Sequence, residues 1–349
     1  MKSLHLLLLF TTVLFTNCQA QKSTWNNAPD LNDGWTITNP ASVGINEDSL
    51  TQLFNYLRDF PHPDFRAIMV AKDGKLVMEE YFNSFWRNNI HDIRSAGKSV
   101  TSMLAGIAME KGLFQPTDKV VSFFPEYKKI KNASTEKLAI TVEDLLVMSS
   151  GLASDDYLDD SPGGEGYMTD SDDYVEFTLD LPMSFQSGEE WAYSSAVAFL
   201  LGAIIENTSG QTLANFAKAN LFGPIGIKNF YWQQSPKGRN TAMGNLYLEP
   251  RDLAKLGYVM LRNGQWNGQQ IIPVDFVKKS TEKRFDISHN DPWAHGYGYM
   301  WYIAKIDIKG QTVDYFYASG NGGNKIFVIP ELDMVVATMS SAYRQGYGQ

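Results

Sequence analysis

The chain has 349 residues, 44% hydrophobic and 20% charged, enough for one or two packed domains and too apolar for a disordered protein. Its formal net charge of −9 and the lack of a legible basic face set aside a nucleic-acid binder. Cys18 is the single cysteine, so an intramolecular disulfide, a thiolate metal site and a cysteine nucleophile in the processed chain are all excluded.

In chain order, Lys2 and the apolar run 4–15 read as an export signal over residues 1–20, too short to span a bilayer comfortably. Cleavage after Ala20 fits slightly better than lipidation of Cys18, because Asn17 is a poor residue before a lipidated cysteine. An exported protein is expected, periplasmic or extracellular, with membrane attachment only by the lipidated route. Residues 21–45 are polar and turn-rich, an extended lead-in. Helical spacing of Leu50, Leu53, Phe54 and Leu57 predicts a helix over 49–60. Strands follow over 67–71 and 76–82, joined by an Asp73-Gly74 turn. A helix opens near Ser95 and runs to Gly112, and a short one is expected within 138–152. Residues 154–173, rich in Asp and Gly, read as a solvated acidic loop rather than a calcium site, since the acid spacing is not that of a calcium-binding loop.

The run 196–207 is a strongly apolar helix ended by Ser209-Gly210. Further helices are expected over 213–220, 250–263 and 274–282. Strands close the chain over 297–306, 311–318, 325–329 and 333–339. Strands at both ends with helices between imply an α+β fold. One antiparallel sheet would be formed from N- and C-terminal strands and flanked by helices, with a mainly helical lobe inserted. The single domain over 46–349 would divide into an α/β part (about 46–94 and 296–349) and a helical lobe (about 95–295). The site would sit at their junction.

Three features carry chemistry. Ser95-x-x-Lys98 places a lysine one helical turn after a serine, on the same face. Burial of such a lysine favours a neutral amine able to take the serine proton. The spacing recurs at Ser134–Lys137 and Ser280–Lys283, but in polar runs that read as exposed turns or caps. Tyr193-Ser194-Ser195 precedes the apolar helix. Its tyrosine could project into a cleft beside Lys98, with Ser194 or Ser195 as the cap. Glycines beside the strand at 311–318 would let a substrate approach the backbone, where a free N–H together with that of Ser95 makes an oxyanion hole.

In this order, with "LLVMSSGL", "LFGPIGI", "LYLEPRDLAKLG", "YGYMW" and "ASGNGGNKIFVIPELDMVV", these motifs resemble the β-lactamase-related serine hydrolases. That family includes class C β-lactamases and penicillin-binding proteins, D-alanyl-D-alanine carboxypeptidases, esterases and aminohexanoate-oligomer hydrolases. The resemblance covers about residues 45–340. It implies a Ser95 acyl-enzyme, with Lys98 and Tyr193 moving protons and the N–H groups of Ser95 and Asn321 holding the oxyanion. Ser195, Ser319 and Gly320 are the accompanying substrate-side residues.

Two departures point toward the esterase and oligomer-hydrolase branches. The amide of the family's Tyr-x-Asn is the hydroxyl of Ser195, and its Lys or His before x-Gly is Ala318. The family's usual closing helix has no counterpart in the pattern of the last ten residues. The expected reaction is therefore hydrolysis of an ester or amide of a small molecule or short oligomer, with no cofactor or metal. Carboxypeptidase or β-lactamase activity is the alternative, and a non-catalytic sensor a further one. A Ser-His-Asp hydrolase lacks its G-x-S-x-G elbow, and a zinc hydrolase its H-E-x-x-H. Trp301 and Tyr299, with the acidic loop, are expected to shape the pocket.

Overall fold

The computed structural model describes residue 25 and residues 27–59 and 64–343. The signal peptide and Cys18 lie outside the described residues. Thirteen strands are assigned among the described residues: β1 (Thr36–Ile37), β2 (Phe65–Lys72), β3 (Lys75–Tyr81), β4 (His91–Asp92), β5 (Phe230–Trp232), β6 (Leu246–Leu248), β7 (Gln265–Trp266), β8 (Gln269–Gln270), β9 (Gly296–Tyr297), β10 (Tyr302–Ile308), β11 (Gln311–Gly320), β12 (Asn324–Ile329) and β13 (Met334–Ser340). The α-helices are α1 (Glu47–Asp59), α2 (Ala96–Glu110), α3 (Thr135–Ala139), α4 (Val142–Leu146), α5 (Glu165–Thr169), α6 (Tyr174–Asp180), α7 (Ser195–Ser209), α8 (Leu213–Ala217), α9 (Pro250–Leu261) and α10 (Val274–Ser280).

Eight strands form one sheet in the order β1-β3-β2-β13-β12-β11-β10-β9. The last strand, β13, lies between the N-terminal β2 and the C-terminal β12, so both ends of the chain build one sheet, as expected. One pairing departs from that expectation: β1, in the lead-in, joins β3 in parallel and makes the sheet mixed. Trp35 explains why this segment is anchored, since its ring is buried against Tyr258 and Trp266. One face of the sheet receives α1 through Leu50, Ile68, Val70, Val77 and Phe82. The other receives α9, whose Gly257 lies against Ile326 and Val335, and the start of α2.

Helix α2 is buried at every residue from Ala96 to Ala108, and it packs on α7. Helix α7 is apolar on all sides, which suits a helix enclosed by others rather than one lying at a surface. It begins at a Ser194 cap and ends at Gly210 in the left-handed region (φ 68°). These two helices form the core of the inserted lobe.

The short helix expected within 138–152 is α4, started by a capping box of Thr141 and Asp144. Local expectations fail elsewhere. The strand expected over 297–306 is interrupted between β9 and β10, where Met300 adopts φ 57°. There Ser99 and Ser102 of α2 donate to the carbonyls of Met300 (2.6 Å) and Tyr299 (2.7 Å), drawing the segment into the core. Trp301 and Tyr299 are accordingly fully buried and do not shape a pocket. Two further residues read as exposed are also interior. Ser280 bonds to the Phe276 carbonyl, and Lys137 donates to the carbonyls of Lys131 and Leu181. Burial pushes the Lys137 ammonium down to about 8. Finally, residues 154–173 are not a free solvated loop; they contain α5 and fold back against the start of α7.

Candidate active site

The site begins in the turn between β4 and α2. Strand β4 pairs with β6, and Asp92 accepts the backbone N–H of Arg94 at 2.8 Å. Arg94 sits at φ 53°, a left-handed conformation costly for a residue with a side chain and often held at functional sites. The kink sets Ser95 at the helix start. Its hydroxyl makes no capping bond; it accepts instead from Lys98 Nζ at 3.1 Å.

Lys98 is 1% exposed, so the solvated lysine of an ordinary capped helix is not what the fold builds. Its Nζ lies within hydrogen-bond distance of three oxygens: Ser95 Oγ, Ser195 Oγ at 3.0 Å and the Met243 carbonyl at 2.9 Å. No carboxylate lies within ion-pair distance of it among the described residues. The Met243 carbonyl reaches this depth because Gly97 and Gly244 touch backbone to backbone; a Cβ on Gly97 would stand 3.2 Å from Gly244 Cα.

Tyr193 and Ser195 arrive from the loop before α7. Ser194 is the cap, accepting from Val197 N at 3.1 Å. This frees Ser195 to point at Lys98. Tyr193 is buried, and it is the face of its ring that meets Lys98 Nζ, 4.9 Å from the centroid. No hydrogen bond joins its hydroxyl to Ser95 or Lys98 among the described residues. Tyr157 stacks on the ring at 5.4 Å, and the rings of Trp191 and Tyr302 lie 6.0 and 6.3 Å from it.

The acidic loop holds this arrangement through Asp156. One carboxylate oxygen accepts Ser195 N at 2.7 Å and the other accepts Glu165 N at 3.0 Å. Its own N–H donates to the Tyr193 carbonyl at 2.7 Å. Glu165 in turn accepts a long bond from Ser195 Oγ at 3.4 Å. Asp156→Asn keeps the shape but turns an N–H donor toward one of these backbone N–H groups. It is expected to cost about 1–3 kcal/mol in urea unfolding and to slow turnover, because Ser195 and Tyr193 lose their common tether. Wild-type kinetics in this variant would show that the loop does not position the site.

Strand β11 supplies the opposite wall. Gly320 presses on the Ile93–Ala96 turn; a Cβ there would lie 2.0 Å from the Ile93 carbonyl oxygen and 3.1 Å from Ala96 N. Asn321 follows directly and lines the space beside Ser95. Strand β10 pairs with β11 only as far as Tyr302↔Tyr317, so the edge from Ala318 onward has no strand partner on that side. Ser319 faces away from Gly320, and its hydroxyl accepts from Lys325 Nζ at 2.7 Å. A cavity of about 470 Å³ opens at Ser95, with Arg94, Glu165, Asn245, Asn321 and Tyr343 on its walls.

The residues expected from sequence thus converge, Ser319 by its backbone strand more than its side chain. Sequence reasoning missed Asp156, Tyr157, Glu165 and the Met243 carbonyl. No pattern distinguished these acids from the solvated ones around them, and a carbonyl has no sequence signal.

The beta-lactamase family model matches residues 66–346. Penicillin-binding protein 4* of Bacillus subtilis is 26% identical over 259 residues, 65% of this chain and 55% of that protein. An uncharacterised protein of Alkalihalophilus pseudofirmus is 22% identical over 313 residues, covering 79% of this chain and 84% of its own length. The chain therefore spans most of one such relative and about half of the other. The octameric penicillin-binding protein homologue of Pyrococcus abyssi superposes with a TM-score of 0.62 at 22% identity, over 89% of this chain and 76% of that one. The family match runs from β2 to β13 and takes in the central helix with Ser95 and the inserted lobe: the chain belongs to the beta-lactamase family of hydrolases.

Proposed function

We propose that the chain is a serine hydrolase that cleaves an ester or amide of a small molecule or short oligomer through a Ser95 acyl-enzyme. The observation that carries this reading is the buried Lys98, within hydrogen-bond distance of Ser95 Oγ and with no carboxylate at ion-pair distance among the described residues. In the proposed cycle Ser95 Oγ attacks the substrate carbonyl and its proton passes to the neutral amine of Lys98. The N–H groups of Ser95 and Asn321 stabilise the oxyanion. The tetrahedral adduct then expels the alcohol or amine, which takes its proton from Lys98 by way of Tyr193 or Ser195. Water attacks the acyl ester, gives its proton back along the same route and releases the acid with Ser95 restored. Every group in this cycle is a protein residue or water, so it requires no metal or cofactor. The reading of residues 1–20 as a signal puts this activity outside the cytoplasm.

Ala318 favours this branch over carboxypeptidase or β-lactamase activity. Its side chain is fully buried on the face toward α2 and supplies no cation to a substrate carboxylate. The test is intact-mass analysis after treatment with a fluorophosphonate, on wild type and Ser95→Ala. A single adduct mapping to Ser95 and missing from the variant is expected. Well-folded wild type that takes up no label would leave a non-catalytic sensor as the better account.

A further inference from the structure

We propose that the polar cavity at Ser95 selects esters of a neutral, polyhydroxylated alcohol such as a sugar, and that the Glu165 carboxylate binds the hydroxyls of that alcohol. The inference rests on the hydrolase reading and names the substrate class for it.

At about 470 Å³ the cavity has the size of a small-ligand pocket, but its wall is not the usual apolar one. Among the described residues that line it, only Met243 has an apolar side chain; Glu165, Thr169, Asn245 and Asn321 all bring polar groups. Glu165 opens α5, and the Asp156 carboxylate that holds its backbone N–H also holds that of Ser195. The Glu165 carboxylate itself has the long 3.4 Å contact with Ser195 Oγ and no cationic side chain at ion-pair distance among the described residues. A carboxylate offers about four lone-pair sites, so this one keeps acceptor capacity for a ligand. Arg94 brings the opposite charge to the same wall, its side chain 39% exposed and 3.2 Å from Asp92. Asn245 donates to Asp92 Oδ2 at 3.4 Å through its amide nitrogen, and the other end of that amide is an acceptor.

Each class of occupant meets this wall differently. An alkyl or aryl group would strip water from the carboxylate and amides and return no hydrogen bond. A carboxylate is repelled by Glu165, and an ammonium by Arg94. A neutral group with several hydroxyls suits both signs, because each hydroxyl can donate to a carboxylate or amide oxygen and accept from a guanidinium or amide N–H. The place of Glu165 also says which half of the substrate lies here. In the proposed cycle the leaving oxygen takes its proton from Lys98 by way of Tyr193 or Ser195, and Glu165 is in contact with Ser195 Oγ. The departing alcohol therefore lies against the Glu165 wall. The bond from the carbonyl carbon to the alcohol oxygen breaks, the acyl group stays on Ser95, and the oxygen leaves protonated with its neighbouring hydroxyls held by Glu165.

Acetate release from three matched esters tests this: methyl 6-O-acetyl-glucopyranoside, cyclohexylmethyl acetate and the ring-amino analogue of the latter. All three are acetates of a primary alcohol on a six-membered ring, so only the polarity and charge of the ring differ. Wild type is expected to prefer the sugar ester over cyclohexylmethyl acetate by about tenfold or more in kcat/KM, the scale of a hydrogen bond to a charged group. Glu165→Leu should remove most of that preference, chiefly through KM, and Glu165→Gln, which keeps the shape and one acceptor without the charge, should retain part of it. Fluorophosphonate labelling of Ser95 in the same proteins separates the two readings. Labelled wild type that is indifferent to the sugar, that favours the amino analogue over it, or whose preference persists undiminished in both Glu165 variants overturns this proposal and leaves the hydrolase standing. Wild type that takes no label removes the hydrolase reading and this proposal with it.

Discussion

Ser95→Ala is expected to lower kcat by a factor on the order of 10⁴–10⁶ while leaving the fold in place. The size follows from the way the residues act together. Without Oγ there is no atom to form the acyl-enzyme, and Lys98 has no proton to accept. The small stability effect follows from the local geometry. Ser95 Oγ makes no capping bond, and its one partner, Lys98, keeps Ser195 and Met243. The change in urea midpoint should correspond to no more than about 1 kcal/mol, within the range of ordinary substitutions. Lys98→Met, which preserves length without the amine, should lose nearly as much activity, since removing either member of a unit disables it. Steady-state hydrolysis of p-nitrophenyl esters with the label assay measures both. Turnover retained in Ser95→Ala would remove the nucleophile assignment, and a mild Lys98→Met effect would move the base to Tyr193.

Gly320→Ala should be the most damaging single-methyl change at the site. The reason is contact rather than backbone conformation. The added Cβ would fall 2.0 Å from the Ile93 carbonyl oxygen, where real contacts are essentially never below 3.0 Å. Strand β11 and the turn before Ser95 must then separate by about an ångström, a displacement of the kind that costs about 10²-fold in rate. Overpacking of this sort also costs about 1–3 kcal/mol of stability. Slower fluorophosphonate labelling together with a lower urea midpoint would confirm both parts. A variant labelled at the wild-type rate would show that the wall formed by Gly320 and Asn321 does not hold the oxyanion.

These expectations draw on two levels of information. The apolar character of α7 and the run after Ser95 are local, and the chain order of strands, helices and strands was enough to infer the sheet and the inserted lobe, while the resemblance of the ordered short motifs implied the family. The Ser95–Lys98 pair was legible because helical geometry alone puts the two side chains on one face. Long-range contacts decided where local reading failed. Ser134–Lys137 has the same spacing, yet Lys137 bonds to carbonyls of residues 131 and 181, while Ser134 caps its helix. The break between β9 and β10 depends on hydroxyls of α2 about 200 positions earlier in the chain.

The motif residues and the kind of reaction they support could therefore be written down from the sequence, since each rests on short-range periodicity or on an ordered set of short motifs. Tertiary structure alone decided which acids in the loop at 154–173 are structural. Asp156 and Asp155 are adjacent and chemically alike, but the path of the chain gives only Asp156 the N–H groups of Ser195 and Glu165. It likewise decided that Ser319 of β11 meets a lysine from β12, because strand register places Lys325 opposite Ser319 and nothing in local sequence encodes register.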